Sequence, residues 1–224
     1  MDNPNQAPET GGGVIGFIQK YRRTIIFCAG VLALSLIGFF IVITLQDIFK
    51  KKAISTLEEL TDRYEALRPS ITESYSDYDV EDLIQDLESF AKKNSGYAGS
   101  KAWFIIGSIR NDKEEWAEAE IAWVAAANKA GKIYLAPLAW FNAGVSAEEQ
   151  GRTEEAVDYY AKSIAAPSGF SAAPHAQFSI GRLRESLNET AAAIEAYRAV
   201  ISGWPYDTVW VNLAYSRIIA LETE

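Results

Sequence analysis

Residues 103–107 read WFIIG, residues 140–144 read WFNAG and residues 177–181 read QFSIG. The glycines that end these stretches, Gly107, Gly144 and Gly181, are each 37 residues apart. Ala119, Ala156 and Ala193 keep the same interval, as do the aromatics Trp123, Tyr160 and Tyr197. Trp103 and Trp140 precede their glycines by four residues, and Gln177 holds that place in the third unit. Several residue types in one register mark an internal repeat, and a period of this length marks a stack of small units. A Gly or Ala at a helix crossing lets two backbones approach, and an aromatic fills the space beside it. Each unit therefore reads as a helix carrying the Gly followed by a helix carrying the Ala and the aromatic. One such pair leaves an apolar face bare, so the pairs must stack on one another.

Working outward, turn residues separate the helices of each pair: Asn111-Asp112, Gly151-Arg152-Thr153 and Asn188-Glu189-Thr190. Asp112 followed by Glu115 suits a capping arrangement, and Thr153 suits an N-cap. Phe90 lies thirteen residues before Trp103, and Tyr197 thirteen before Trp210, each across a Ser-Gly-aromatic turn. Residues 79–94 thus behave as the second helix of a degenerate earlier unit, and 208–222 as a closing helix. Residues 52–68 read as a stem helix ending at Pro69. The chain divides into a polar tail with a basic flank (1–23), a membrane helix (24–45), a stem and linker (46–78) and a solenoid (79–224). Within the solenoid the repeats run about 100–133, 137–170 and 174–207.

The order Trp, Gly, Ala, aromatic, with Pro205 closing the third unit, resembles the tetratricopeptide repeat (TPR) family. Trp103, Ile106, Gly107, Ala119, Trp123 and Ala126 match the family order in the first unit; Trp140, Gly144, Ala156 and Tyr160 match in the second. Ile180, Gly181, Ala193, Tyr197 and Pro205 match in the third. The family unit is about 34 residues, so the loops here are longer by about three. Arg110, Ala147 and Arg184 stand where the family often has Tyr. The resemblance implies an all-α fold, an α-solenoid of helical hairpins with a C-terminal capping helix, whose first helices line a concave groove that suits a peptide.

One position just after the family Trp holds Phe104, Phe141 and Phe178, again 37 residues apart, and Val211 follows 33 residues later. These side chains either form an apolar ladder for a hydrophobic segment or pack between repeats. Lys101, Ser108, Leu138, Val145, His175, Arg182 and Tyr215 are neighbouring groove candidates on the same helices. TPR proteins that clamp a C-terminal carboxylate use Lys and Asn at set groove positions. Phe occupies one of those places here, so no such clamp is expected.

Thr24 to Leu45 is a run of 22 residues without a charge. At about 1.5 Å per residue it reaches roughly 33 Å, enough for a hydrocarbon core of about 30 Å. It lacks the polar face of a soluble core helix. It is followed by QDIFKKK, not by the small residues of a cleavage site, so the segment is expected to remain as an anchor. Cys28 lies near the start of the run, where a lipid-attachment cysteine would follow it, and reads as an ordinary apolar position. Lys20, Arg22 and Arg23 flank one end and Lys50, Lys51 and Lys52 the other, which makes the positive-inside count a near tie.

The net charge is −9 overall. Residues 1–52 hold six basic and three acidic residues, leaving 15 basic against 27 acidic beyond them, a net of −12. So acidic a domain is repelled by phosphate backbones, and nucleic acid is not an expected partner. A single cysteine excludes an internal disulfide. One histidine, no spaced Cys/His ligands, no G-x-S-x-G and no phosphate loop give no basis for an enzyme, a metal or a cofactor. Glu114/Glu115, Glu148/Glu149 and Glu154/Glu155 fall at helix ends, where those near N-termini favour the helix dipole.

A short tail, a basic flank, one span and a small acidic TPR domain together resemble the bacterial ancillary subunit of the SecYEG translocon. That resemblance implies a cytoplasmic tail, a periplasmic TPR domain on the inner membrane, and the Sec translocon, emerging chains and periplasmic chaperones as partners. A structural scaffold in an envelope, division or secretion complex is the alternative role.

Overall fold

The computed structural model describes residues 14–71, 77–166 and 169–223, and these are helical with no strand among them. The helices are α1 (Val14–Ile71), α2 (Asp77–Lys93), α3 (Gly96–Asp112), α4 (Trp116–Ala130), α5 (Leu135–Glu149), α6 (Thr153–Ile164), α7 (Ala173–Ser186), α8 (Thr190–Gly203) and α9 (Thr208–Thr223). Most of the expected polar tail, residues 1–13, and part of the expected linker, 72–76, lie outside the described residues. The chain separates into two units, Met1–Lys52 and Ala53–Glu224.

The first unit contains the N-terminal part of α1, a helix long and apolar enough to cross a membrane. Phe27, Leu34 and Phe40 are each more than 60% exposed, so no protein surface covers them. The hydroxyls of Ser35 and Thr44 each donate, at 2.9 Å, to the carbonyl four residues earlier, Val31 and Phe40. In hydrocarbon such back-bonding removes the cost of a bare donor.

The second unit begins in the C-terminal part of α1. Leu57, Leu60 and Tyr64, spaced on one helical face, are buried with Val80, Leu83, Ile84 and Leu87 of α2 and with Ile105, Ile106 and Ile109 of α3. Burying a Leu or Ile in this way stabilises by about 1.5–3 kcal/mol relative to exposure. The stem helix is therefore part of the core. It runs through Pro69 to Ile71 instead of stopping at Pro69. A proline so close to the C-terminus forfeits only one backbone bond there.

Three hairpins follow, α3–α4, α5–α6 and α7–α8, and α9 packs on α8. Their shared packing rule explains the 37-residue series. A Cβ added at Gly107 would lie 2.6 Å from the Trp123 ring, at Gly144 2.8 Å from the Tyr160 ring, and at Gly181 2.5 Å from the Tyr197 ring. Each aromatic thus lies directly on the backbone of its partner helix, a contact that any side chain would push apart. Ala119, Ala156 and Ala193 are fully buried in the same seams.

The turns inside the hairpins repeat as closely. Glu114, Gly151 and Asn188 have φ of 58°, 70° and 61°. The following N–H of Glu115, Arg152 and Glu189 donates to the carbonyl of Arg110, Ala147 and Arg184 at 2.9, 2.9 and 3.0 Å. This is a Schellman turn, in which a left-handed residue takes up the last free carbonyls of a helix. The expected caps are displaced by it. Glu115 is the N-cap of α4 and Arg152 that of α6, neither with a side-chain cap bond, while Asp112 ends α3 and Thr153 is already helical. The turn delivers the chain into the second helix one residue earlier than side-chain capping by Thr153 would allow.

Candidate functional site

Among alternate helices α3 approaches α5 and α7 approaches α9, while α5 and α7 meet through the side chains of Phe141 and His175 and of Glu148 and Arg182. Their aromatic side chains fall into two groups. Phe104 is half-buried, edge-on to Trp123 at 4.6 Å between ring centroids, with the Lys101 ammonium 5.5 Å from its own centroid. Phe141 and Phe178 belong to a longer run. Phe141 meets Tyr160 at 5.3 Å, Phe170 at 5.7 Å and His175 at 5.0 Å. His175 stacks on Trp210 at 4.4 Å and 13°, and Trp210 meets Phe178 at 5.4 Å. Phe178 in turn lies 5.1 Å from Tyr197.

Each of the three phenylalanines therefore rests one side on the aromatic of its own hairpin's second helix and keeps part of its surface open. Aromatic pairs at these spacings are worth about 0.5–1.5 kcal/mol beyond their buried area. Burial, and then the Arg182 guanidinium, hold the His175 imidazolium below the usual histidine range, so His175 is an uncharged member of the run at neutral pH.

The other expected groove residues are placed as follows. Ser108 donates to the Phe104 carbonyl at 3.1 Å. Leu138, Val145 and Val211 are half-buried, and Val145 packs into the core around Tyr160. Arg182 is exposed and donates to Glu148 at 2.5 Å. Tyr215 is exposed on α9. Phe170, which joins the run from the loop before α7, has no counterpart at the 37-residue spacing, whereas Trp210, in the first turn of α9, stands thirteen residues after Tyr197 as Trp103 stands after Phe90.

A polar seam runs beside the aromatic one. The Tyr160 hydroxyl donates to Glu148 at 3.1 Å and the Tyr197 hydroxyl to Glu185 at 2.9 Å. Burial and the facing carboxylates push both phenols far above their ordinary range. Arg182 of α7 holds Glu148 and Arg217 of α9 holds Glu185, so each carboxylate also ties its hairpin to the next element. Burial alone would raise the Glu185 carboxyl, but the hydrogen bonds from Arg217 and Tyr197 outweigh it and hold it below the usual range. Glu148 and Glu185 are 37 residues apart, and Asn111 stands one interval earlier; that register was the available signal for this seam.

At the first hairpin the seam opens into a recess of about 180 Å³. Ser108, Asn111 and Asp112 of α3 line it with Trp123 of α4, Asn142 of α5, and Tyr64 and Arg68 of the stem. Trp123 is 2% exposed, and its indole N–H has no hydrogen-bond partner. Among the described residues no three His, Cys, Asp or Glu side chains converge as a metal site.

Two stretches of the chain, 125–170 and 174–202, match the tetratricopeptide repeat family. A protein of Treponema pallidum (strain Nichols) described as a TPR repeat-containing protein is 31% identical over 223 residues, covering 92% of this chain and 91% of that one. The chain belongs to the tetratricopeptide repeat proteins. It carries a protein–protein interaction module of a kind that is typically a non-catalytic scaffold.

Proposed function

We propose that this protein is a membrane-anchored TPR module that holds polypeptide segments and assists the translocation or chaperoning of exported proteins. In this reading the span at 24–45 sits in the inner (cytoplasmic) membrane, the solenoid occupies the periplasmic side, and the partners are the Sec translocon, the chains leaving it and periplasmic chaperones. The observation that carries the reading is the half-open aromatic run Phe141–His175–Trp210–Phe178 across the first helices. Half-buried rings offer apolar area at little cost in side-chain freedom, because packing already fixes them. Phe104 and Lys101 extend the surface toward the first hairpin, and Ser108, Leu138, Val145, Arg182, Val211 and Tyr215 border it. Anchoring raises the local concentration of the groove at the membrane, so weak contacts with a passing chain suffice.

The test is photo-crosslinking from position 141 in native membranes, with protease accessibility in intact cells and inverted vesicles to fix the side. Many heterogeneous nascent or exported products on the periplasmic side are the expected result. A single stoichiometric product would assign a scaffold role instead, and unchanged capture by a folded Phe141→Glu variant would remove the aromatic run from the mechanism.

A further inference from the structure

We propose that the recess at the first hairpin is an amide-binding subsite, in which the Trp123 indole N–H donates to the carbonyl of a peptide group. This assignment rests on the reading of the solenoid as a module that holds polypeptide. In the second and third hairpins the polar atom of the second-helix aromatic is occupied: Tyr160 donates to Glu148 and Tyr197 to Glu185. The corresponding pair in the first hairpin is Trp123 and Asn111, both of which line the recess, yet the indole N–H is buried without a partner. A buried donor left unsatisfied is a standing cost to the fold, and an acceptor brought by a ligand removes it.

The lining selects the chemistry of the acceptor. Asn111 and Asn142 each present a donor and an acceptor, so they match the paired N–H and C=O of an amide and neither sign of charge. Arg68 and Asp112 add one charge of each sign, which leaves no net attraction for a free anion or cation. Arg68 is also within 3.9 Å of Glu65. A volume of about 180 Å³ is several times the roughly 30 Å³ share of one water, enough for a peptide group with its flanking carbons. The amide can come from a main chain or from an Asn or Gln side chain.

The experiment follows the six indole N–H signals of the full-length protein in lipid nanodiscs by proton–nitrogen correlation, with Trp123→Phe assigning the one of interest. The probes are N-acetylglycine N-methylamide for the main chain, propionamide for the side-chain carboxamide, and acetate for an anion. The expected result is a saturable shift of the Trp123 signal alone with one of the two amides, the stronger one naming the source. Asn111→Glu supplies a resident carboxylate as in the later hairpins and is expected to abolish the shift. Asn142→Ser serves in its place if the other five signals report misfolding. No shift with either amide, an equal shift with acetate, or an unchanged shift in the folded variant overturns the proposal. Crosslinking at position 141 is a separate readout, so loss of client capture with amide binding intact strikes the functional reading and leaves the subsite standing.

Discussion

The second and third hairpins close on a carboxylate, and the first closes on a carboxamide. Glu148 and Glu185 each accept a hydrogen bond from the tyrosine on the facing helix and an ion pair from the next element, whereas Asn111 faces Trp123 with neither. The first hairpin is joined to the second elsewhere, through Glu120 of α4. That carboxylate is 7% exposed and accepts from Gln150 at 2.9 Å and Tyr159 at 3.0 Å while paired with Arg152. The steric lattice of glycine, alanine and aromatic is thus shared by all three units, while the tyrosine–carboxylate–arginine staple is shared by the second and third and missing from the first. A repeat can change what it binds at its seam without changing how its helices cross.

The largest expected effect tests the shared part. Gly107→Val, Gly144→Val and Gly181→Val each drive a side chain into a buried ring at 2.5–2.8 Å. Each is expected to cost about 3 kcal/mol in chemical denaturation, the upper part of the overpacking range. One hairpin tolerating the change while the others do not would break the equivalence. Next, Tyr160→Phe and Tyr197→Phe remove a hydroxyl bonded to a carboxylate and are expected to lose about 1 kcal/mol each. The smallest effect concerns acid. The Glu185 carboxyl is held below its ordinary value of 4.5 in the fold, so its contribution is present above the unfolded value and fades as pH falls through the folded one. Glu185→Gln should therefore flatten the loss of stability below about pH 4.5 in urea titrations. An acid limb as steep as in the parent would show that the carboxylate is not stapling α7 to α9.

The lattice was legible because its signal is periodic. Gly107, Gly144 and Gly181 each need the aromatic sixteen residues later, and three copies of one steric requirement stand out from composition. The long apolar helix was legible for a different reason: a charge-free run long enough to cross a bilayer needs no partner to be recognised. The turns were read only in outline. Glu114 adopts the left-handed conformation that Gly151 takes without strain, and nothing in a glutamate announces it. Asn111 has the residue type and position of a turn, yet it lies inside α3 and lines the recess. The ties from Glu148 to Arg182 and from Glu185 to Arg217 span 34 and 32 residues. They depend on how far one hairpin rotates on the next, which local pattern does not encode. The phenylalanines stand out by their spacing, and Trp210 by its parallel with Trp103, but their partner Phe170 comes from a loop outside the repeat register.

The burial of Leu57, Leu60 and Tyr64 decides where this protein can be cut. Cleavage among Lys50, Lys51 and Lys52 would release a solenoid that keeps every residue of its first core cluster. Cleavage further along, near Pro69, would strip three of them and expose the apolar faces of α2 and α3. A protease that reached both sites would therefore release a folded fragment from the first and a degradable one from the second.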